Sequence, residues 1–271
     1  MPISLFKSHK VIVGEEDEAE LVFTSSGTTG SNTSRHFVKK KTVYEESFIN
    51  AFEWFYGNIE DYCILALLPS YFEQKGSSLI YMVSELIQRS GHESSGFYLD
   101  YTSRLREVLI RLDRQEKKVL LIGVSFALLD LVEQFHFSLS NTIIMETGGM
   151  KGRRKELVRE ELHDRLKKGF GVDNIHSEYG MTELLSQAYA KKDGRFYPPP
   201  WMKVLIRDIN DPFTLLDAGS TGGINVIDMA NIHSCPFIET MDLGRVFDDG
   251  SFEVLGRFDN SDIRGCNLMV V

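Results

Sequence analysis

Apolar residues along this chain fall into two patterns. Leu21-Val22-Phe23, Ile64-Leu65-Ala66-Leu67-Leu68, Val119-Leu120-Leu121-Ile122-Gly123-Val124 and Thr142-Ile143-Ile144-Met145-Glu146 are short, nearly continuous apolar runs. Runs of that length, apolar on both faces, predict buried strands of a largely parallel sheet. Between them, apolar positions recur at helical spacing. Phe48, Phe52 and Phe55 mark one helix within 42–59, and further helices are predicted at 78–90, 102–114, 126–136 and 153–168. The last carries Leu157, Leu162 and Leu166 on one face. Short strands are predicted at 97–99 and 174–177. This alternation predicts an α/β fold with a doubly wound, mostly parallel sheet.

The pattern changes after Pro198-Pro199-Pro200. Segments 203–208, 222–228 and 251–255 read as strands separated by Asp, Asn and Gly turns, and long helical periodicity vanishes. The chain therefore divides into an α/β body, residues 1–194, and a smaller, mostly β subdomain, residues 195–271.

Charge and composition narrow the function classes. Lys and Arg number 30 against 39 Asp and Glu, a formal charge of −9. Nucleic-acid binding, which needs a basic face, is not expected. At 42% of the AVILMFWYC set, the chain has ample material for a folded core. Cys63, Cys235 and Cys266 form no CxxC pair and no disulfide framework. No apolar run approaches the ~18–20 residues that span a bilayer, and residues 1–10 hold no apolar signal core. A cytoplasmic protein without membrane insertion is expected.

Candidate chemistry begins at the loop Ser25-Ser26-Gly27-Thr28-Thr29-Gly30. Glycines let backbone N–H groups approach a ligand and hydroxyls add donors, a combination suited to phosphate oxygens. No Gly-Lys-Ser/Thr follows, so it is not a Walker-type loop. Tyr179-Gly180-Met181-Thr182-Glu183 comes next, then Asp242-Leu243-Gly244-Arg245, then Gly256-Arg257-Phe258-Asp259-Asn260. In this order the four resemble the core motifs of the adenylate-forming superfamily, which activates carboxylic acids as acyl-adenylates. Leu68-Pro69-Ser70-Tyr71, Gly76-Ser77-Ser78, the run Glu146 to Arg153 and the run Asn260 to Asn267 narrow the likeness. They resemble the bacterial acyl-protein synthetase family, which includes the fatty-acid-activating component of the bioluminescence fatty-acid reductase. The resemblance covers nearly the whole chain.

The resemblance implies ATP and Mg²⁺ as cofactors, a carboxylic acid of the fatty-acid class as substrate, and an acyl reductase as protein partner. Ser26, Gly27, Thr28, Thr29 and Gly30 would cradle the β- and γ-phosphates. Arg35 is the nearest cation, where much of the superfamily has lysine. Gly148 and Gly149 would line the adenine and Tyr179, followed by Gly180, would stack on it. Thr182 would meet the α-phosphate, Glu183 would hold Mg²⁺, and Asp242 and Arg257 would bind the ribose. Cys266 would take the acyl group from the adenylate as a thioester. Against the superfamily's usual pattern, a shortened segment of 23 residues before Thr24 and no lysine-bearing mobile domain after Asp259 are expected. The alternatives are an acid–CoA ligase and a nucleotide- or acyl-binding remnant without turnover. Phe48, Phe52 and Phe55 read as core, and His176 as a structural histidine.

Overall fold

Runs that are apolar on both faces must be covered on both faces, and the sheet is built around that requirement. The computed structural model describes residues 1–25, 33–69, 76–98, 103–148 and 157–258. Its elements are α1 (Leu5–Ser8), β1 (Leu21–Thr24), β2 (Arg35–Val38), α2 (Lys41–Tyr56), β3 (Tyr62–Leu67), α3 (Ser78–Ser90), β4 (Gly96–Phe97), α4 (Ser103–Arg114), β5 (Lys118–Gly123), α5 (Ser125–Gln134), β6 (Thr142–Glu146), α6 (Arg159–Phe170) and β7 (His176–Tyr179). The strands β8 (Ala188–Ala190), β9 (Arg195–Tyr197), β10 (Met202–Arg207), β11 (Leu215–Leu216), β12 (Thr221–Asp228), β13 (Phe237–Val246) and β14 (Phe252–Arg257) complete it.

β1 and β2 form a separate antiparallel pair. The other strands join one 12-stranded sheet in the order β11-β10-β12-β13-β14-β9-β8-β7-β6-β5-β3-β4. β4, β3, β5, β6 and β7 run parallel. From β7 to β11 every pairing is antiparallel. The α/β architecture is as expected, with one mixed sheet continuing through both halves of the chain. Every residue of β3 is buried, as the apolar run demanded. One core surrounds β3, β5 and β6 with α2 to α6. A second holds Ile3, Phe6, Tyr179, Phe196, Val204, Ile224, Ile238 and Phe252 around the antiparallel strands.

Helix ends follow local chemistry. Ser77 caps α3 by accepting from the Ile80 N–H, and Gly91 closes it in the left-handed conformation. α6 carries Glu160 and Glu161 in its first turn and Lys167 and Lys168 in its last, as the helix dipole favours. It starts at Arg159 instead of 153, so Leu157 precedes the helix, while Leu162 and Leu166 remain on its buried face. In the antiparallel half, Arg207 is buried over a bulge in β12. Its guanidinium donates to the carbonyls of Ile224 and Thr240, both at 2.8 Å, and pairs with Glu239. Burial favours its neutral form, and the Glu239 charge opposes that.

Candidate active site

In open α/β sheets, ligands bind at the carboxyl ends of parallel strands. β6 runs into Thr147-Gly148 and β7 into Gly180-Met181-Thr182-Glu183 at that end. Two motifs separated in sequence thus leave adjacent strands side by side.

At the Gly148 turn, φ is +74°, a conformation that favours glycine. The Gly148 N–H donates to Glu146 Oε2 at 2.7 Å, and its carbonyl accepts from the Ser125 N–H at 2.8 Å. The peptide is therefore held from both sides. Glu146 is buried and also accepts from the Ser125 hydroxyl at 3.2 Å. Burial pushes its carboxyl up. His163, Arg159, Ser177 and the Gly148 N–H outweigh burial and bring it to about 2. Thr147 Oγ1, beside this turn, is buried without a hydrogen-bond partner. Gly149 lies outside the described residues.

β7 delivers Tyr179. Its hydroxyl donates to Asp242 Oδ2 at 2.8 Å, and Arg257 Nε approaches Asp242 Oδ1 at 3.1 Å. Asp242 and Arg257 are cross-strand partners on β13 and β14. The three residues read from separate motifs thus form one connected set. Tyr179 is 8% exposed and Asp242 7%. The tyrosine ring meets Phe252 edge-on at 5.3 Å and lies 5.8 Å from Phe196. Burial, then the Asp242 charge, push its phenol far above the ordinary range. The next residue, Gly180, is exposed, and a Cβ there would collide with the Glu178 carboxyl. That carboxyl is itself pushed up to about 8 by burial and by the Glu146 charge.

The Thr182–Glu183 turn hangs on three buried side chains. His36 Nδ1 lies 2.9 Å from the Thr182 carbonyl, Asn231 Nδ2 donates to the Glu183 carbonyl at 2.7 Å, and Asn231 Oδ1 accepts from the Leu185 N–H at 3.0 Å. Asp228 accepts from the N–H groups of Leu185 and Ser186, both at 2.9 Å. Burial raises the Asp228 carboxyl despite these bonds. Glu183 is 7% exposed and Thr182 half-buried. No sequence motif marks His36, Asp228, Asn231 or Glu146 as anchors. A polar residue ending an apolar strand, as Glu146 and Asp228 do, was the available signal.

The segment leading into Ser26 is closed at its base. Thr24 pairs with Arg35 across β1 and β2. The Ser25 N–H donates to the Ser34 carbonyl at 3.1 Å, and the Ser34 N–H to Ser25 Oγ at 2.9 Å. Ser26, Gly27, Thr28, Thr29 and Gly30 lie outside the described residues. Arg35 is exposed, with its guanidinium 4.8 Å from the centre of the Phe37 ring.

Cys266 also lies outside the described residues. Cys63 is buried in β3, and burial raises its thiol. Cys235 is half-buried, its Sγ 3.3 Å from the Phe237 carbonyl. Among the described residues, no three His, Cys, Asp or Glu side chains gather as a metal site. No described helix is long and apolar enough to cross a membrane. A cavity of about 610 Å³ lies elsewhere, at the β4 edge beside α4, with Arg104 and Arg111 in its wall.

Comparison with known proteins adds to this geometry. The family model described as acyl-protein synthetase, LuxE, matches residues 1–271. The long-chain-fatty-acid–luciferin-component ligase of Vibrio harveyi is 24% identical over 295 residues, covering 98% of this chain and 75% of that protein. ATP-bound MatB from Rhodopseudomonas palustris matches with a TM-score of 0.65 at 17% identity, over 90% of this chain and 49% of MatB. The O-succinylbenzoate coenzyme A synthetase MenE from Bacillus subtilis, in complex with ATP and magnesium ion, gives 0.58 at 19% identity, over 87% of this chain and 49% of MenE. This chain spans about half the length of those two solved proteins. The likeness to them is one of fold.

Proposed function

This chain belongs to the LuxE acyl-protein synthetase family, and from that premise we propose that it activates a carboxylic acid with ATP and then carries the acyl group as a thioester. Fatty acids are the proposed substrate class, supported by the printed name of the Vibrio harveyi relative. The observation that carries the reading is the joining of Tyr179, Asp242 and Arg257 beside the Thr182–Glu183 turn, at the carboxyl ends of β6 and β7.

In this reading the acid's carboxylate oxygen attacks the α-phosphorus of ATP. The bond to the bridging oxygen breaks, pyrophosphate leaves and an acyl-adenylate forms. The nucleophile is already anionic, so no protein base is required; the protein's task is positioning and electrostatic stabilisation. Gly148, Gly149 and Tyr179 flank the adenine. Thr147 Oγ1, buried and unpartnered, offers a base a further polar contact. Asp242 accepts from the ribose hydroxyls and Arg257 donates to them. Ser26, Gly27, Thr28, Thr29 and Gly30 wrap the outer phosphates, Arg35 adds positive charge, and Thr182 meets the α-phosphate. Glu183, a hard oxygen donor of the kind Mg²⁺ prefers, would hold magnesium. When bound, magnesium neutralises charge on the phosphates.

The Cys266 thiolate then adds to the acyl carbonyl and AMP leaves, so that the thioester keeps the acyl group activated. A partner acyl reductase is the proposed recipient. ATP–pyrophosphate exchange over a panel of carboxylic acids tests the first step without knowledge of the acceptor. Exchange with long-chain fatty acids is expected, and no exchange with any acid would overturn the reading. Free acyl-CoA as the product, with no acyl group on the protein, would replace it with an acid–CoA ligase.

A further inference from the structure

His36 lies on β2, directly after the strand position that closes the phosphate loop, and it is 0% exposed. Its two ring nitrogens reach different parts of the chain. Nδ1 is 2.9 Å from the Thr182 carbonyl and Nε2 is 3.0 Å from Ser234 Oγ. The ring also meets Phe6 edge-on at 5.2 Å. A carbonyl only accepts, so Nδ1 must carry the proton. Nε2 of the neutral ring is then an acceptor facing the Ser234 hydroxyl, whose single proton is shared between it and the Asn231 carbonyl at 3.3 Å. Burial favours this neutral ring, holding its pKa to about 4.

Ser234 closes the 3-10 turn Met229–His233, which contains Asn231. That side chain holds the Glu183 carbonyl and the Leu185 N–H. His36 therefore ties three segments together: the strand leaving the phosphate loop, the Thr182–Glu183 turn, and the 3-10 turn that grips the other side of it. We infer that His36 is a positioning residue for nucleotide binding, which as its Nδ1–H tautomer locks the Thr182–Glu183 turn to the strand leaving the phosphate loop. The inference rests on the proposed ATP-dependent reading. It adds that the two phosphate-contacting segments are held as one body by a histidine that touches neither ATP nor acid.

The direct test is long-range ¹H–¹⁵N correlation of ¹⁵N-histidine-labelled, unliganded protein. A protonated Nδ1 and a bare Nε2 on His36 are expected; the reverse tautomer overturns the inference. The functional test compares His36→Leu with His36→Asn, whose amide nitrogen falls near the Nδ1 position. His36→Leu is expected to raise the KM for MgATP by about tenfold or more, the scale of losing an outer-shell partner. Its KM for the acid should stay within about twofold, and His36→Asn should recover most of the loss. A wild-type KM for MgATP in folded His36→Leu overturns the inference. So does His36→Asn that is no better than His36→Leu.

If His36→Leu does not fold, His36→Asn alone decides. Near-wild-type KM for MgATP supports the inference and a tenfold rise overturns it. If wild type exchanges pyrophosphate with no acid, the proposed function fails by itself. Hydrogen–deuterium exchange then reads the lock directly. Faster exchange over residues 180–186 in a folded His36 variant lacking the donor supports it, and unchanged exchange overturns it.

Discussion

The hydroxyl of Tyr179 donates to Oδ2 of Asp242 at 2.8 Å, across 63 positions of sequence. The bond joins the last residue of the parallel half of the sheet to the middle of its longest antiparallel strand. Asp242 spends its other oxygen on Arg257. One carboxylate thus links the proposed adenine and ribose residues, and its geometry is set before any nucleotide arrives.

Tyr179→Phe removes a buried hydrogen bond to a charged group and is expected to cost about 1.5–3 kcal/mol of stability. In a double-mutant cycle with Asp242→Ala, a coupling energy of about 0.5–3 kcal/mol is expected because the residues touch. Urea denaturation of the four proteins measures it. Additive losses would mean that the bond does not form in solution. Asp242→Ala should also raise the KM for ATP more than the KM for the acid.

How far the chain could be read from sequence depended on what each strand buries. β3 and β5 were legible because apolar side chains fill both faces. β13, with ten residues, was missed. Its inward positions include Thr240 and Asp242, polar groups buried by their hydrogen bonds, so no apolar alternation shows. β8 hid behind two alanines, and β2 behind Arg35 and the buried His36. Motif order brought Tyr179, Asp242 and Arg257 to notice, but their mutual bonds are set by sheet register. The anchors of the Thr182–Glu183 turn were beyond local pattern, since His36 lies 146 positions from Thr182 and Asn231 lies 48 from Glu183.

Stability should peak near pH 6.5. His36 and His176 are buried and neutral, with pKa lowered from 6.5 to about 4. The unfolded chain binds those protons first, so stability is lost as pH falls from about 6.5 toward about 4. Glu178 acts in the opposite sense. Its pKa is raised from 4.5 to about 8, so its contribution is lost as pH rises through that range. Asp228, also raised by burial, acts in the same sense as Glu178. Above pH 6.5 the histidines no longer contribute and the buried carboxyls carry the fall. Each proton gives a slope of at most about 1.4 kcal/mol per pH unit. Urea denaturation between pH 4 and 9 checks this, and Glu178→Gln should flatten the limb above pH 6.5. A wild-type stability that climbs steadily from pH 6.5 to 8 would contradict the assignment.

Glu183→Gln keeps the shape of the side chain and removes its charge. Adenylation is expected to fall by roughly 10²-fold or more, the scale of losing one electrostatic stabiliser. The melting temperature should change little, because the described hydrogen bond at this residue uses its backbone carbonyl. Pyrophosphate exchange titrated with Mg²⁺ makes the comparison, and full activity in the variant would remove Glu183 from the metal role.

Intact-mass measurement after incubation with ATP, Mg²⁺ and a long-chain fatty acid tests self-acylation at Cys266 most directly. One ATP-dependent, hydroxylamine-sensitive acyl group is expected on the wild type, mapped to Cys266 and absent from Cys266→Ser. A wild type that gains no acyl mass, or one whose adduct maps to Cys63 or Cys235, would contradict it.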